Sequence, residues 1–135
     1  MELMVVVAIV GLLAAVAIPK YADLLEKANL GATLGNLASL RSAVSIYYGT
    51  FMAHPETIDP ETQPKMKEVL NGELPFVKAK HPQDWSPYGN EVTVATVAGA
   101  IPSTTGTGWF YVNADGALYV NSTAKDIKNY NYTMY

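Results

Sequence analysis

The chain has 135 residues, enough for one domain with a real core but not comfortably for two. Half of it is apolar, only 16% is charged, and the net charge of −3 offers no general electrostatic grip on nucleic acid. Without cysteine there is no disulfide framework, no thiolate nucleophile and no cysteine metal site.

The apolar excess sits at one end. Leu3 to Ile18 contains no charged and no polar side chain, and every residue in it except Gly11 is apolar. From Pro19 onward, usage is close to that of an ordinary soluble domain. At 1.5 Å per residue the apolar run covers about 24 Å of a hydrocarbon core about 30 Å thick, slightly short of a full span. No basic residues precede it, and a helical pattern continues directly beyond it. It therefore reads as a retained helix and not as a removed signal peptide. Glu2 stands out, because a carboxylate beside such a run is costly unless paired, protonated or held at headgroup level. A helix N-terminus or the positive charge of a neighbouring copy would each accommodate it.

The twenty residues Glu-Leu-Met-Val-Val-Val-Ala-Ile-Val-Gly-Leu-Leu-Ala-Ala-Val-Ala-Ile-Pro-Lys-Tyr, from Glu2 to Tyr21, resemble the N-terminal helix of type IV pilins and their type II secretion relatives. In that family a basic leader is removed before an N-methylated phenylalanine, and a Phe-Thr-Leu-Met/Ile-Glu sequence opens the mature chain. The resemblance implies that Met1 is the residue before the family's glutamate, so that three mature residues and the leader precede this sequence. It covers roughly the first 50 residues well, and the rest only as a general architecture. It also implies that Glu2, Gly11 and Pro19 are assembly residues. Glu2 would set registry by pairing with the terminal amine of an adjacent subunit, and the segment from Gly11 to Pro19 is expected to kink or lose helicity.

Helical periodicity persists after Lys20. Leu30, Leu34, Leu37, Leu40, Val44, Tyr47 and Phe51 are spaced 4, 3, 3, 4, 3 and 4, one stripe of a 3.6-residue period, with Asn29, Asn36 and Ser39 opposite. This half, 20–51, is the part expected to pack on a head. Gly31, Ala32, Gly35 and Ala38 leave open whether another element approaches closely or small residues are merely tolerated. Tyr21, Tyr47, Tyr48 and Phe51 read as core packing or an interface belt, and not as an electron-conducting stack.

His54-Pro55 and Asp59-Pro60 end the long helix. Pro64 to Leu70 is a short helix candidate ahead of Asn71-Gly72. Glu91 to Val97 alternates imperfectly as a strand. Trp109 to Val112 and Ala117 to Val120 flank a four-residue Asn-Ala-Asp-Gly turn, the clearest hairpin in the chain. Asn129 to Tyr135 reads either as an edge strand or as a tail that packs on another subunit.

No residues assemble into a catalytic, cofactor or metal site. His54 and His81 each precede a proline and share no ligand spacing, so both read as turn residues. Asp115 with Asn113 offers oxygen ligands too thinly for calcium, and Gly116 marks a turn. No phosphate loop and no nucleophile elbow occurs. Asn121-Ser-Thr and Asn131-Tyr-Thr match the N-glycosylation triplet, a pattern that arises often by chance.

The expected architecture is α+β: a long N-terminal helix over 1–51, apolar in 1–19 and amphipathic in 20–51, with a globular head over 52–135 built on a small antiparallel sheet. The resemblance implies a non-enzymatic structural subunit of an extracellular helical filament, a type IV pilus. That subunit is held in the bacterial inner membrane before assembly and is processed by a prepilin peptidase and the pilus assembly machinery. Its partners are identical copies, with no cofactor and no specific nucleic acid. A type II secretion pseudopilin and a monomeric membrane-anchored binding module are the alternatives.

Overall fold

The computed structural model describes residues 2–78, 89–102, 108–122 and 130–134. A helix, α1, runs from Glu2 to Phe51, and a short helix, α2, spans Pro64–Leu70. Three strands follow, β1 (Glu91–Ala95), β2 (Gly108–Val112) and β3 (Ala117–Val120), and a 3-10 turn closes the order at Tyr132–Met134. The α+β arrangement of a long helix on a small sheet is as expected.

At 1.5 Å per residue the 50 residues of α1 extend about 75 Å. No residue from Glu2 to Asn29 is buried. Burial begins at Leu30 and continues through Thr33, Leu37, Leu40, Ala43, Val44 and Tyr47. Leu34 packs against this cluster only in part, and Phe51 lies at its exposed end. Gly31 and Gly35 face open space, so nothing in the subunit itself requires their small size.

The expected loss of helicity between Gly11 and Pro19 does not occur, because α1 is unbroken through both residues. Proline at position 19 removes a single donor, at a cost of about 3 kcal/mol in a helix interior. Unwinding the segment would give up several more helical hydrogen bonds, and no element of the subunit packs there to favour another conformation.

Met52 follows the helix with φ 55°, the left-handed conformation, and its N–H still donates to the Tyr48 carbonyl (2.8 Å). This cap position favours glycine, and a side chain there costs roughly 1–2 kcal/mol. The Met52 side chain is 79% exposed, so little burial offsets that cost. Met52→Gly is therefore expected to stabilise the fold by about 0.5–1 kcal/mol after the entropy of an unfolded glycine is counted, read as a higher urea midpoint.

In the connection to α2, Asp59 accepts the Glu61 N–H (3.0 Å), tightening the turn. Pro64 occupies the first turn of α2, where its missing N–H is harmless, and Met66 plugs the core.

The sheet order is β1-β2-β3, with β2 and β3 antiparallel and β1 parallel to β2. The sheet is thus mixed, where an antiparallel one was expected. The reason is chain length: residues 96–107 separate the two strands, and these twelve residues suffice to return the chain to the starting end. At the paired ends Gly108 (φ 136°) presses against the Glu91 backbone so closely that a Cβ would collide with it. β1 stops at Ala95, two residues before the expected end, where its carbonyl accepts the Asn113 N–H (3.0 Å).

Trp109, Tyr111, Leu118 and Val120 share one sheet face and join Leu37, Leu40 and Val44 of α1, with Ile58, Met66, Leu74 and Val77 filling the sides. The C-terminal segment forms a 3-10 turn where an edge strand was one expectation. Tyr130, Tyr132 and Met134, which a strand would place on one face, are divided in burial. Tyr132 is sealed in the core beside β3, and Tyr130 and Met134 face outward. Asn129 and Tyr135 lie outside the described residues.

Candidate functional site

The residues with unexplained exposure are those of the first half of α1. Eleven large apolar side chains between Leu3 and Ile18 are each 55–80% exposed, and Tyr21, Leu24 and Leu25 extend the same surface. At about 1.5–3 kcal/mol per fully buried side chain, leaving them in water forgoes on the order of 10–20 kcal/mol. The apolar residues surround the helix, so it has no polar face with which to lie on a membrane surface. By length and composition, this is a helix able to cross a membrane.

The three expected assembly residues lie along this rod and do not converge. Glu2 occupies the first turn, where its charge complements the helix dipole, and it makes no ion pair among the described residues. Gly11 has open space where a side chain would be. Pro19 follows about 12 Å further along the axis, inside the helix. What the arrangement offers is an apolar surface on every side of the rod.

The second half of α1 fixes this rod to the head through polar contacts that hydrophobic periodicity does not reveal. Thr33 Oγ1 donates to the Asn29 carbonyl (2.9 Å) and accepts the Lys78 N–H (3.0 Å). Asn36, assigned to the solvent side by the stripe, donates to the Phe76 carbonyl (2.9 Å). Arg41 donates through Nε (3.2 Å) and Nη2 (2.8 Å) to the Leu118 carbonyl of β3. Arg41 is the sole charged residue between Lys27 and Phe51, a signal visible in the sequence. The Tyr111 hydroxyl donates to the Pro55 carbonyl (3.0 Å), and burial, reinforced by Asp115, pushes its phenol above the usual range.

A cleft of about 370 Å³ lies between α1 and the β2–β3 turn, lined by Arg41, Tyr48, His54, Asp115 and Tyr119 among others. His54 stacks on Tyr48 (4.6 Å between centroids, 28°), and its Nδ1 is buried without a hydrogen bond. Gly116 sits against the imidazole, where a Cβ would fall 2.5 Å from the ring. Both Asp115 oxygens are committed: Oδ2 accepts the Gly99 N–H (2.9 Å) and Oδ1 the Ala117 N–H (3.0 Å). That carboxylate therefore locks the turn. His81 lies outside the described residues, among which no group of three His, Cys, Asp or Glu side chains is placed to hold a metal.

The Gly99 and Ala117 hydrogen bonds hold the Asp115 carboxyl below its usual range. A depressed folded-state value means that this contribution is present above the unfolded carboxylate range and is lost as pH falls through the folded value. Asp115→Asn is expected to flatten the acid limb of a stability–pH profile below pH about 4, checked by urea midpoints across that range.

Of the two glycosylation triplets, Asn121 is buried and donates to Thr93 Oγ1 (3.0 Å), whereas Asn131 is exposed. The aromatics of α1 form one local pair, Tyr47 and Phe51 (4.6 Å), with Tyr21 about 39 Å from Tyr47 along the axis.

The chain is similar to the fimbrial protein EcpB of Eikenella corrodens, with 41% identity over 61 residues. The match takes in 44% of this chain and 36% of the relative, so the chain spans little more than a third of that curated protein. No protein-family model matches the chain, and no solved structure matches it. The similarity to a fimbrial protein and the long apolar N-terminal helix fit a pilin-like family.

Proposed function

We propose that the chain is a non-enzymatic structural subunit of a type IV pilus, polymerising through the apolar half of α1. The observation that carries this reading is the exposed surface from Leu3 to Leu25, attached to a head that already has its own core. Before assembly the helix spans the bacterial inner membrane, with a leader removed by a prepilin peptidase and the new N-terminus methylated. In the extracellular filament the same surface is covered by the helices of identical copies. A helix apolar on every side suits both environments, because neither lipid nor a bundle interior demands a polar face. The head, 52–135, forms the outer layer.

Glu2 supplies registry. In the dry centre of the bundle it pairs with the terminal amine of the neighbouring subunit, and an unpaired charge there costs about 3–5 kcal/mol. Gly11 and Pro19 bound a segment whose helix can be locally remodelled when neighbours supply the freed backbone groups with partners.

The test is expression of the full precursor in a pilus-assembling host, followed by electron microscopy of sheared surface material. Long filaments containing this chain are the expected result, and detergent-soluble monomers alone would support a membrane-anchored binding module instead. Glu2→Ala should weaken subunit addition by roughly 100-fold or more and leave the head's melting unchanged. Normal filament numbers from that variant would remove Glu2 from the assembly mechanism.

A further inference from the structure

Two dipeptides in the described residues carry a carboxyl-derived side chain directly before glycine: Asn71-Gly72 and Asp115-Gly116. Such pairs can cyclise to a succinimide, because a glycine has no side chain to shield its amide nitrogen or to restrict the rotation that brings it to the preceding Cγ. The fold treats the two pairs in opposite ways.

At Asp115-Gly116 every reacting atom is held. Both carboxylate oxygens accept backbone N–H groups, from Gly99 and Ala117. The nitrogen that would attack donates to the Val112 carbonyl (2.9 Å), and the glycine is wedged against His54. The ionised carboxylate is also a poor electrophile.

At Asn71-Gly72 nothing is held. Asn71 is the exposed C-cap of α2 in the left-handed conformation (φ 54°, ψ 34°), and its side-chain amide makes no hydrogen bond among the described residues. The Gly72 N–H has no backbone acceptor among them, its φ is 152°, and open space surrounds the position a Cβ would take. No packing opposes the rotation needed to bring nitrogen to Cγ.

We infer that Asn71 is a site of spontaneous deamidation in the folded protein, with Asp115 protected by the same fold. The Gly72 nitrogen attacks Cγ of Asn71, and a new N–C bond closes the five-membered ring. The bond between Cγ and the amide nitrogen Nδ2 breaks, and ammonia leaves carrying the proton lost from Gly72. Water then opens the ring at either carbonyl, giving aspartate or isoaspartate. The product carries a new negative charge at the C-terminus of α2, where the helix dipole disfavours it. It also lies beside a cleft of about 490 Å³ that Asp59, Glu61, Glu73 and Glu91 already line. Isoaspartate in addition lengthens the backbone at the cap, which loosens the helix that seats Met66 in the core.

The test incubates the intact full-length protein in mildly alkaline buffer and follows tryptic peptides by mass spectrometry. The peptide Glu68–Lys78 is expected to gain one mass unit ahead of any other asparagine-containing peptide and to become a methyl acceptor for an isoaspartyl methyltransferase. Asn71→Gln should abolish both signals. Isoaspartate at Asp115, located by fragmentation of the peptide 81–125, is expected only when the protein is held unfolded in urea. If native Glu68–Lys78 stays unmodified, or converts only in urea, the fold protects Asn71 and the inference fails. If Asp115 isomerises as fast in the native protein as in urea, the proposed lock at the β2–β3 turn is wrong.

Discussion

Val10→Asp is expected to eliminate filaments and weaken membrane retention, with the head's melting unchanged. Val10 lies midway along the apolar run, is 58% exposed, and belongs to a stretch of α1 that touches nothing else in the subunit. An aspartate at the centre of a membrane helix costs about 2.5–3.5 kcal/mol, and replacing valine also removes a favourable contribution. The same charge in a helix bundle would be buried without a partner, at a cost of about 3–5 kcal/mol. The head gains and loses no contact, so its stability should shift by no more than about 0.5 kcal/mol. Membrane flotation, electron microscopy and a thermal melt of the same preparation report the three outcomes. A variant that still assembles would show that the apolar half is not the polymerisation surface. A variant whose head melts early would show that the two halves of α1 are coupled through contacts absent from the isolated subunit.

Trp109→Ala should have the converse effect. Trp109 is fully buried on the core face of β2, paired with Val92 on one side and Val120 on the other. Its indole Nε1 donates to the Pro75 carbonyl (2.7 Å), tying the α2–β1 connection to the sheet. Truncation removes the largest side chain in the core, a change that typically costs 3–5 kcal/mol, and it leaves the Pro75 carbonyl without this donor, at about 1–3 kcal/mol more. Against a total stability of about 5–15 kcal/mol for a domain of this size, the head is expected to be largely unfolded at physiological temperature. Trp109→Phe keeps an aromatic core residue and loses chiefly the hydrogen bond, so it should fall between parent and alanine. Urea midpoints order the three. The apolar half of Trp109→Ala should still enter membranes, because that half draws nothing from the head. A loss below 1 kcal/mol would show that Trp109 is not a central element of the core.

These two substitutions also mark what could be read from the residues alone. The apolar run, the stripe from Leu30 to Tyr47, the short helix at Pro64–Leu70 and the hairpin around Asp115-Gly116 are signalled by local composition and period, and each lies where expected. Pairing direction is a different kind of fact. β1 looks the same in sequence whether it runs parallel or antiparallel to β2, because its own period carries no information on direction. Long-range polar contacts were equally hidden. Thr33 with Lys78, Arg41 with Leu118 and Tyr111 with Pro55 join positions 45, 77 and 56 residues apart, far beyond any local period. At the C-terminus a strand would put Tyr130, Tyr132 and Met134 on one face, whereas the 3-10 turn buries only Tyr132 of the three, because seating one aromatic side chain against β3 does not need a strand ladder. The roles of Glu2, Gly11 and Pro19 rest on resemblance for a physical reason. In a single subunit, local energetics favour an intact helix and provide nothing for these residues to touch.

The unbroken course of α1 has a mechanical meaning. The segment that would be gripped by neighbours and the segment that walls the core belong to one helix, with no coil between them in the subunit. A pull on the apolar end therefore enters the head as axial shear, shared at once among Leu37, Leu40, Val44, Thr33 and Arg41. Contacts sheared in parallel must yield together, whereas contacts peeled from one end yield in turn. A subunit wired in this way transmits tension through its core without first spending it on unfolding a linker.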